Sequence, residues 1–515
     1  MTLTRRRSGS TWQARLRTVR ARTWALAGLG LLSLAALIGY FALPTYPTYD
    51  SFYALLWGRD LLHGHLPDLR VYRGPTEHPL AIAFGALCSI FGQGGARLMV
   101  LGSIGSFVAL VAGIYRVGQL CFGGAIGTLA ALLMLSRFYD ENLAAQGYLD
   151  ISYVALVAWA LALELARSRR GTSVFVLLAA AGLLRPDAWV LAVAYWAWCA
   201  WPELGRLRRG ERVQAAAWGR LARYGALAVS APLAWIAFDA IVTGQPLYSL
   251  HSTAALAQEL ERTQGLSSVI ASIWTYAVRI DKLPVLLGVF AGGALAVWLT
   301  PRRAALPLAV VGLQVLVYVA EGAVGVSVID RYLMGAAACA LPFCAVAIGG
   351  WSLLKPASAL RRVWIVGAAG LVLYGTASAA TTLSIASLRN TLAYHEEFHK
   401  ELAATLKDPR VEEQLARCPL LSLPNNKLIP DARWILDTTD QHNIVARSQA
   451  RAEVAHHSHA LQRRIAAGSV AIYPLGEAVF VEAIVDVGDD PLDQVPLQHF
   501  RRVYTSRYYA VYANC

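Results

Sequence analysis

The amino-acid sequence predicts a polytopic α-helical membrane protein of about eleven spans, followed by a C-terminal exoplasmic α+β domain. Three observations predict it. Hydrophobic residues make up 56% of the chain and charged residues only 15%, with a mean hydropathy of +0.45, where a soluble chain carries about a quarter charged residues. The apolar residues gather in runs of about 17 to 25, the length that crosses a bilayer's hydrocarbon core. From Ala386 onward the composition turns polar and stays so.

The formal charge of +13 is spread as short Arg clusters between the apolar runs. That distribution argues against a nucleic-acid partner. It marks cytoplasmic loops instead, since positively charged loops resist translocation. Residues 1–23 form a basic cytoplasmic N-terminus with Arg5 to Arg7, Arg15, Arg17, Arg20 and Arg22. The first run, 24–43, is too long for the apolar region of a cleaved signal peptide and counts as a helix.

Alternation of Arg-rich and Arg-poor loops orients the rest of a membrane module over 24–385. The first helix runs outward and leaves an outer loop at 44–79. Residues 54–62 form a short interfacial helix there, and 80–91 a second interfacial or re-entrant one. Spans follow at 96–115, 123–135, 151–165, 174–184, 188–201 and 224–241. A polar loop covers 243–281, and spans at 284–299, 306–323, 333–354 and 363–385 complete the module.

The tail, 386–515, is long enough for an independent domain. Residues 386–406 and 442–467 read as helical, 424–430 as a turn region, and 469–473, 478–487 and 502–512 as strands rich in Val, Ile, Phe and Tyr. Cys88, Cys121, Cys199, Cys339 and Cys344 lie in apolar segments as small hydrophobes. Cys418 and Cys515 alone lie outside such segments, in a compartment where disulfides persist, and are expected to pair.

The polar residues that could carry chemistry all fall at outer helix ends. The loop YPTYDSFYALLWGRDLLHGHLPDLRVYRGPTEHP (46–79) packs Asp50, Asp60, Asp68, Glu77 and His78 among aromatic residues and Arg59, Arg70 and Arg73. On the same side come Asp140 and Glu141 with Asp150, Arg185 with Asp187, and Asp330-Arg331-Tyr332. Carboxylates facing cations at a membrane surface suit transfer of a group from a lipid phosphate. One Asp takes a proton from an acceptor hydroxyl while Arg or His stabilises the departing phosphate. The structural alternatives are that Asp50 and Asp150 cap helices, Arg185 merely pairs with Asp187, and Arg331 anchors at the interface.

Residues 395–399, HEEFH, match the pattern of zinc metalloproteases, with both His on one helical face and Glu412 or Glu413 as a third ligand. Their helix is highly charged rather than apolar and buried, so a chance match is the better reading and no metal site is assigned. His456, His457 and His459 read as a solvated helix face. A transporter would carry its ionisable residues near the bilayer midplane, not at one surface.

YPTYDSFYA followed by an L..G spacing and TEHPL, with GYLDISY downstream and DRYL late in the chain, resembles the GT-C superfamily of integral-membrane glycosyltransferases. The layout is most similar to the branch holding protein O-mannosyltransferases and lipid A aminoarabinose transferases, over roughly the first 350 residues. The resemblance implies that Asp50 is the catalytic, acceptor-activating residue and that Asp150 is the acidic residue of the second outer loop. Asp140 and Glu141 compete for that second role. It implies further that Glu77, His78 and Arg331 serve the donor phosphate; Arg185 and Tyr332 are expected in the same role from their place at outer helix ends, with Asp187 a further candidate. The chain departs from the family in having His78 where Lys is common. A polyprenyl-phosphate-linked sugar is the implied donor, and a glycan, lipid or protein outside the cytoplasm the implied acceptor, at the cell membrane. A divalent metal ion is left open.

Overall fold

The computed structural model describes residues 9–262, 265–326, 328–382, 384–440, 442–475 and 496–515, with side chains from residue 23 on. Helix α1 (Gly9–Ala42) carries the first apolar run. The outer loop then folds into α2 (Tyr49–Leu62) and α3 (Pro79–Ser89). Thr48, not Asp50, caps α2: its hydroxyl accepts from the Ser51 N–H at 3.4 Å, which leaves Asp50 free in the first turn. The two helices touch backbone to backbone. A Cβ on Gly58 would lie 2.2 Å from the Ala86 nitrogen, and one on Gly85 2.1 Å from the Ala54 carbonyl oxygen, so only glycine fits either position.

Helices α4 (Gly95–Phe122) and α5 (Gly124–Leu135) turn at Gly123, and α6 (Phe138–Ala145) leads into α7 (Leu149–Ala166). Then come α8 (Thr172–Gly182), α9 (Asp187–Arg208) and α10 (Ala215–Thr243). The stretch 243–281, expected as a polar loop, is helical instead. It holds α11 (Tyr248–Glu259) and the first half of α12 (Leu266–Leu299), which kinks at Lys282 (φ 61°) just before Pro284. In α11 only Ser249 and Ala257 are buried, two turns apart, so polar residues hide the helical period. Helices α13 (Pro301–Ala323), α14 (Met334–Gly349) and α15 (Ala359–Thr382) complete the module. Nearly all of α14 is buried, which makes it the axis around which the module packs.

Helices carry most of each of the eleven apolar runs. Among the described residues, eight helical stretches are long and apolar enough to cross a membrane. Helices α5 and α8, of 12 and 11 residues, are apolar but short.

The tail begins with α16 (Ile385–Leu406) and α17 (Pro409–Arg417). Strand β1 (Leu421–Leu423), α18 (Ile429–Ile435), β2 (Ile444–Ala446), α19 (Arg447–Ala455), α20 (Ala460–Ala467) and β3 (Val470–Pro474) follow. Residues 502–512 form not one strand but a hairpin, β4 (Arg501–Thr505) with β5 (Tyr509–Ala513). The sheet order is β2-β1-β3-β5-β4, parallel across β2, β1 and β3 and antiparallel beyond. Phe398, Leu402 and Leu406 of α16 pack on Leu421, Val470, Tyr509 and Val511 of the sheet. A disulfide joins Cys418 to Cys515, their Cα atoms 5.7 Å apart. The expected strand at 478–487 lies outside the described residues.

The tail seats on the outer loop. Arg59 of α2 donates to Asp437 at 2.5 Å and to the Thr438 carbonyl at 2.7 Å, and its guanidinium lies over the Trp434 ring. Gln93 donates to the Trp434 carbonyl at 2.7 Å.

Candidate active site

Helix starts converge on one cavity of about 620 Å³ between the membrane module and the tail. Asp50, Asp150 and Asp187 stand in the first turns of α2, α7 and α9, His78 precedes α3, and Arg331 lies just before α14. N-terminal helix ends carry partial positive charge and unpaired N–H groups, so their convergence suits an anion.

Arginines and carboxylates form a chain along the wall. Arg185 donates to Asp150 at 2.6 Å and to Asp187 at 3.0 Å. Arg331 donates to the other Asp150 oxygen at 3.0 Å and lies 3.7 Å from Asp50. Aromatic faces hold both guanidiniums: Arg185 sits 4.0 Å from the Tyr332 ring centroid and Arg331 4.5 Å from that of Tyr148. Asp150 is thus occupied by two cations and 5% exposed, whereas the Asp50 side chain is 27% exposed and faces the cavity. Burial pushes the Asp50 carboxyl above its ordinary 3.8, and Arg331 partly offsets the rise.

Arg262, at the end of α11, also lines the cavity and adds to the positive field on Asp50. Among the described residues its side chain makes no hydrogen bond or ion pair. Sequence reasoning missed it because 243–281 read as a featureless polar loop. His78 lines the cavity beside the Trp235 ring, and burial lowers its pKa to about 4, so its imidazole is neutral at pH 7.

The tail supplies another wall through His395, Phe398, His399, Asn426, Lys427, Leu428 and Asp431. His399 Nδ1 lies 2.9 Å from Asp431 Oδ2, and the Tyr46 ring packs against both His395 and His399. The two histidines read as a chance HExxH match therefore face the same cavity as Asp50. Among the described residues no group of three or more His, Cys, Asp or Glu is arranged to hold a metal ion.

Of the expected site residues, the cavity gathers Asp50, His78, Asp150, Arg185, Asp187, Arg331 and Tyr332. Glu77 is not among its lining residues. It is 1% exposed and sits behind the wall near Ser249 and Asp239, where burial raises its carboxyl to about 7. Asp140 and Glu141 do not line it either. Asp140 pairs with Arg137 at 3.0 Å, and Arg137 reaches Asp281 at 3.2 Å, a cluster that ties α6 to the kink of α12. Burial beside an arginine keeps Asp140 as a packing element away from the cavity.

No protein-family model matches the chain, and no curated protein sequence does. Solved structures do. ArnT from Cupriavidus metallidurans bound to undecaprenyl phosphate superposes with a TM-score of 0.53 at 13% identity, over 95% of this chain and 98% of that one. The Archaeoglobus fulgidus oligosaccharyltransferase tethered to an acceptor peptide matches with a TM-score of 0.51 at 12% identity, over 96% of this chain and 74% of that one. The archaeal oligosaccharyltransferase AglB from Archaeoglobus fulgidus, in complex with an inhibitory peptide and a dolichol-phosphate, matches with a TM-score of 0.50 at 12% identity, over 92% and 72%. The chain thus shares its fold with ArnT and with the archaeal oligosaccharyltransferase: a helical membrane module carrying a small C-terminal sheet domain.

Proposed function

We propose that this protein transfers a hexosyl or pentosyl group from a polyprenyl-phosphate donor to an acceptor hydroxyl on the outer face of the cell membrane. The observation that carries the reading is the contrast between two aspartates of one cavity. Asp150 is held by Arg185 and Arg331, and Asp50 stays open to the cavity beside Arg331. The fold adds support, since ArnT was solved with undecaprenyl phosphate and AglB with a dolichol-phosphate. The Arg-rich loops favour a cytoplasmic N-terminus and an extracytoplasmic tail.

In this mechanism the donor phosphate lies against Arg262 and Arg331, and the neutral His78 adds a hydrogen-bonding nitrogen. Asp50 accepts the proton of the acceptor hydroxyl as that oxygen attacks the anomeric carbon. The bond from that carbon to the phosphate oxygen breaks, and the polyprenyl phosphate leaves with the electron pair and a charge the arginines neutralise. Asp150 and Asp187 hold Arg185 and Arg331 in place.

The test uses membranes carrying the full chain and a panel of polyprenyl phosphates bearing radiolabelled sugars. Wild type is expected to move label out of the polyprenyl fraction from at least one donor, and Asp50→Asn to move almost none. Equal transfer by the two would overturn the assignment.

A further inference from the structure

On the tail's wall of the cavity, beside Lys427, two buried oxygens lack a hydrogen-bond partner among the described residues. Asp431 and Asn426 are 2% and 4% exposed, yet Asp431 Oδ1 and Asn426 Oδ1 have no hydrogen-bond partner among the described residues. Asn426 uses its amide nitrogen on the Tyr49 hydroxyl at 3.3 Å, which leaves the oxygen as its unpaired atom. Next to them His399 turns Nδ1 to Asp431 at 2.9 Å, and its side chain is 22% exposed along the cavity. The ring keeps a second nitrogen, Nε2, for a further hydrogen bond. Two unpaired oxygens beside an imidazole on one wall suit a ligand that carries hydrogen-bond donors, because buried polar atoms are seldom left unpaired. The Tyr46 and Phe398 rings beside them offer apolar faces.

Hydroxyl groups on a ring with apolar C–H faces meet both demands. We infer that His399, oriented by Asp431 and joined by Asn426, binds the hydroxyls of a carbohydrate acceptor, so that the sugar is transferred onto another sugar. The inference rests on the transfer reading above and adds to it the class of acceptor and the residues that recognise it. Asp431 places His399 through Oδ2, and its unpaired Oδ1, His399 and Asn426 touch the acceptor. The donor's own sugar is a second source of the same chemistry, and the kinetics below separate the two.

The experiment uses the full chain returned to source-cell membranes lacking their own copy, with a labelled donor that wild type consumes. Linkage analysis of the labelled product is expected to find the new sugar on a sugar hydroxyl. Release of label by β-elimination from a protein, or label on an amine or a lipid phosphate, overturns the inference. His399→Leu and Asn426→Leu are each expected to raise the KM for acceptor membranes roughly tenfold or more, the loss of a hydrogen bond. KM for the donor and retention of polyprenyl phosphate stay at wild-type values. His399→Gln, which keeps an acceptor atom, restores part of the affinity, a rescue that a purely structural role would not produce. Unchanged acceptor KM in His399→Leu, or a change in donor KM alone, overturns the inference. Wild type that neither retains polyprenyl phosphate nor moves label from any donor instead overturns the transfer reading itself.

Discussion

Arg331 donates to Asp150 at 3.0 Å and stops 3.7 Å short of Asp50, so one guanidinium is bonded to the first carboxylate and only polarises the second. The two aspartates should therefore fail differently. Asp150→Asn leaves Arg185 and Arg331 without the carboxylate they share, and breaking a buried pair costs about 3 to 5 kcal/mol. It is expected to lower the unfolding temperature clearly in detergent and to lose activity. Asp50→Asn should unfold within a degree or two of wild type and lose about a hundred- to ten-thousand-fold in rate, as loss of a general base does. Thermal unfolding alongside transfer assays distinguishes them.

Arg262→Gln removes a cavity cation that makes no ion pair or side-chain hydrogen bond among the described residues. Affinity for polyprenyl phosphate is expected to fall about ten- to a hundred-fold, the worth of one hydrogen bond to a charged group. The same change withdraws positive field from Asp50, so the acid limb of the rate profile should move to higher pH. Binding measured on purified protein and rates measured across pH check both halves. Unchanged binding would remove Arg262 from the donor site.

Glu77 predicts a pH dependence of stability. Its carboxyl is raised to about 7 in the fold by burial, against about 4.5 when unfolded, so the folded state holds the proton more tightly. Stability from this group is present below about 4.5 and declines as pH rises toward 7, by about 3 kcal/mol at most. Glu77→Gln should unfold at a higher temperature than wild type at pH 8, with little difference at pH 4.5. A lower unfolding temperature for the variant at pH 8 would refute the account.

The Cys418–Cys515 disulfide closes a loop of sequence separation 97. In the chain-entropy model that restraint is worth about 4 to 5 kcal/mol. Cys515→Ser is expected to loosen the tail, seen as faster proteolysis between α16 and β5, while the membrane module keeps its unfolding temperature.

Much of the fold was legible because lipid makes a simple demand. A span must be long and apolar, so helices carry most of each of the eleven runs read from composition. The tail was less legible. Strands β1 and β2 are three residues each, Leu-Ser-Leu and Ile-Val-Ala, too short for a period to declare itself. Helix α11 escaped because its two buried residues, Ser249 and Ala257, are not an apolar stripe.

The site divides the same way. The sequence by itself determined that Asp50, His78, Asp150, Arg185, Asp187 and Arg331 sit at one set of helix ends, since charges at span termini alternate with the Arg-rich loops. It could not determine which of them meet. Only the tertiary structure sets Asp150 between two arginines while Asp50 stays open, turns Glu77 behind the wall, and draws Asp140 away to Arg137. Only the tertiary structure brings Arg262, His399, Asn426 and Asp431 to the same cavity. Hydropathy is a local property, written in each run of side chains. The pairing of charges depends on how helices distant in sequence cross.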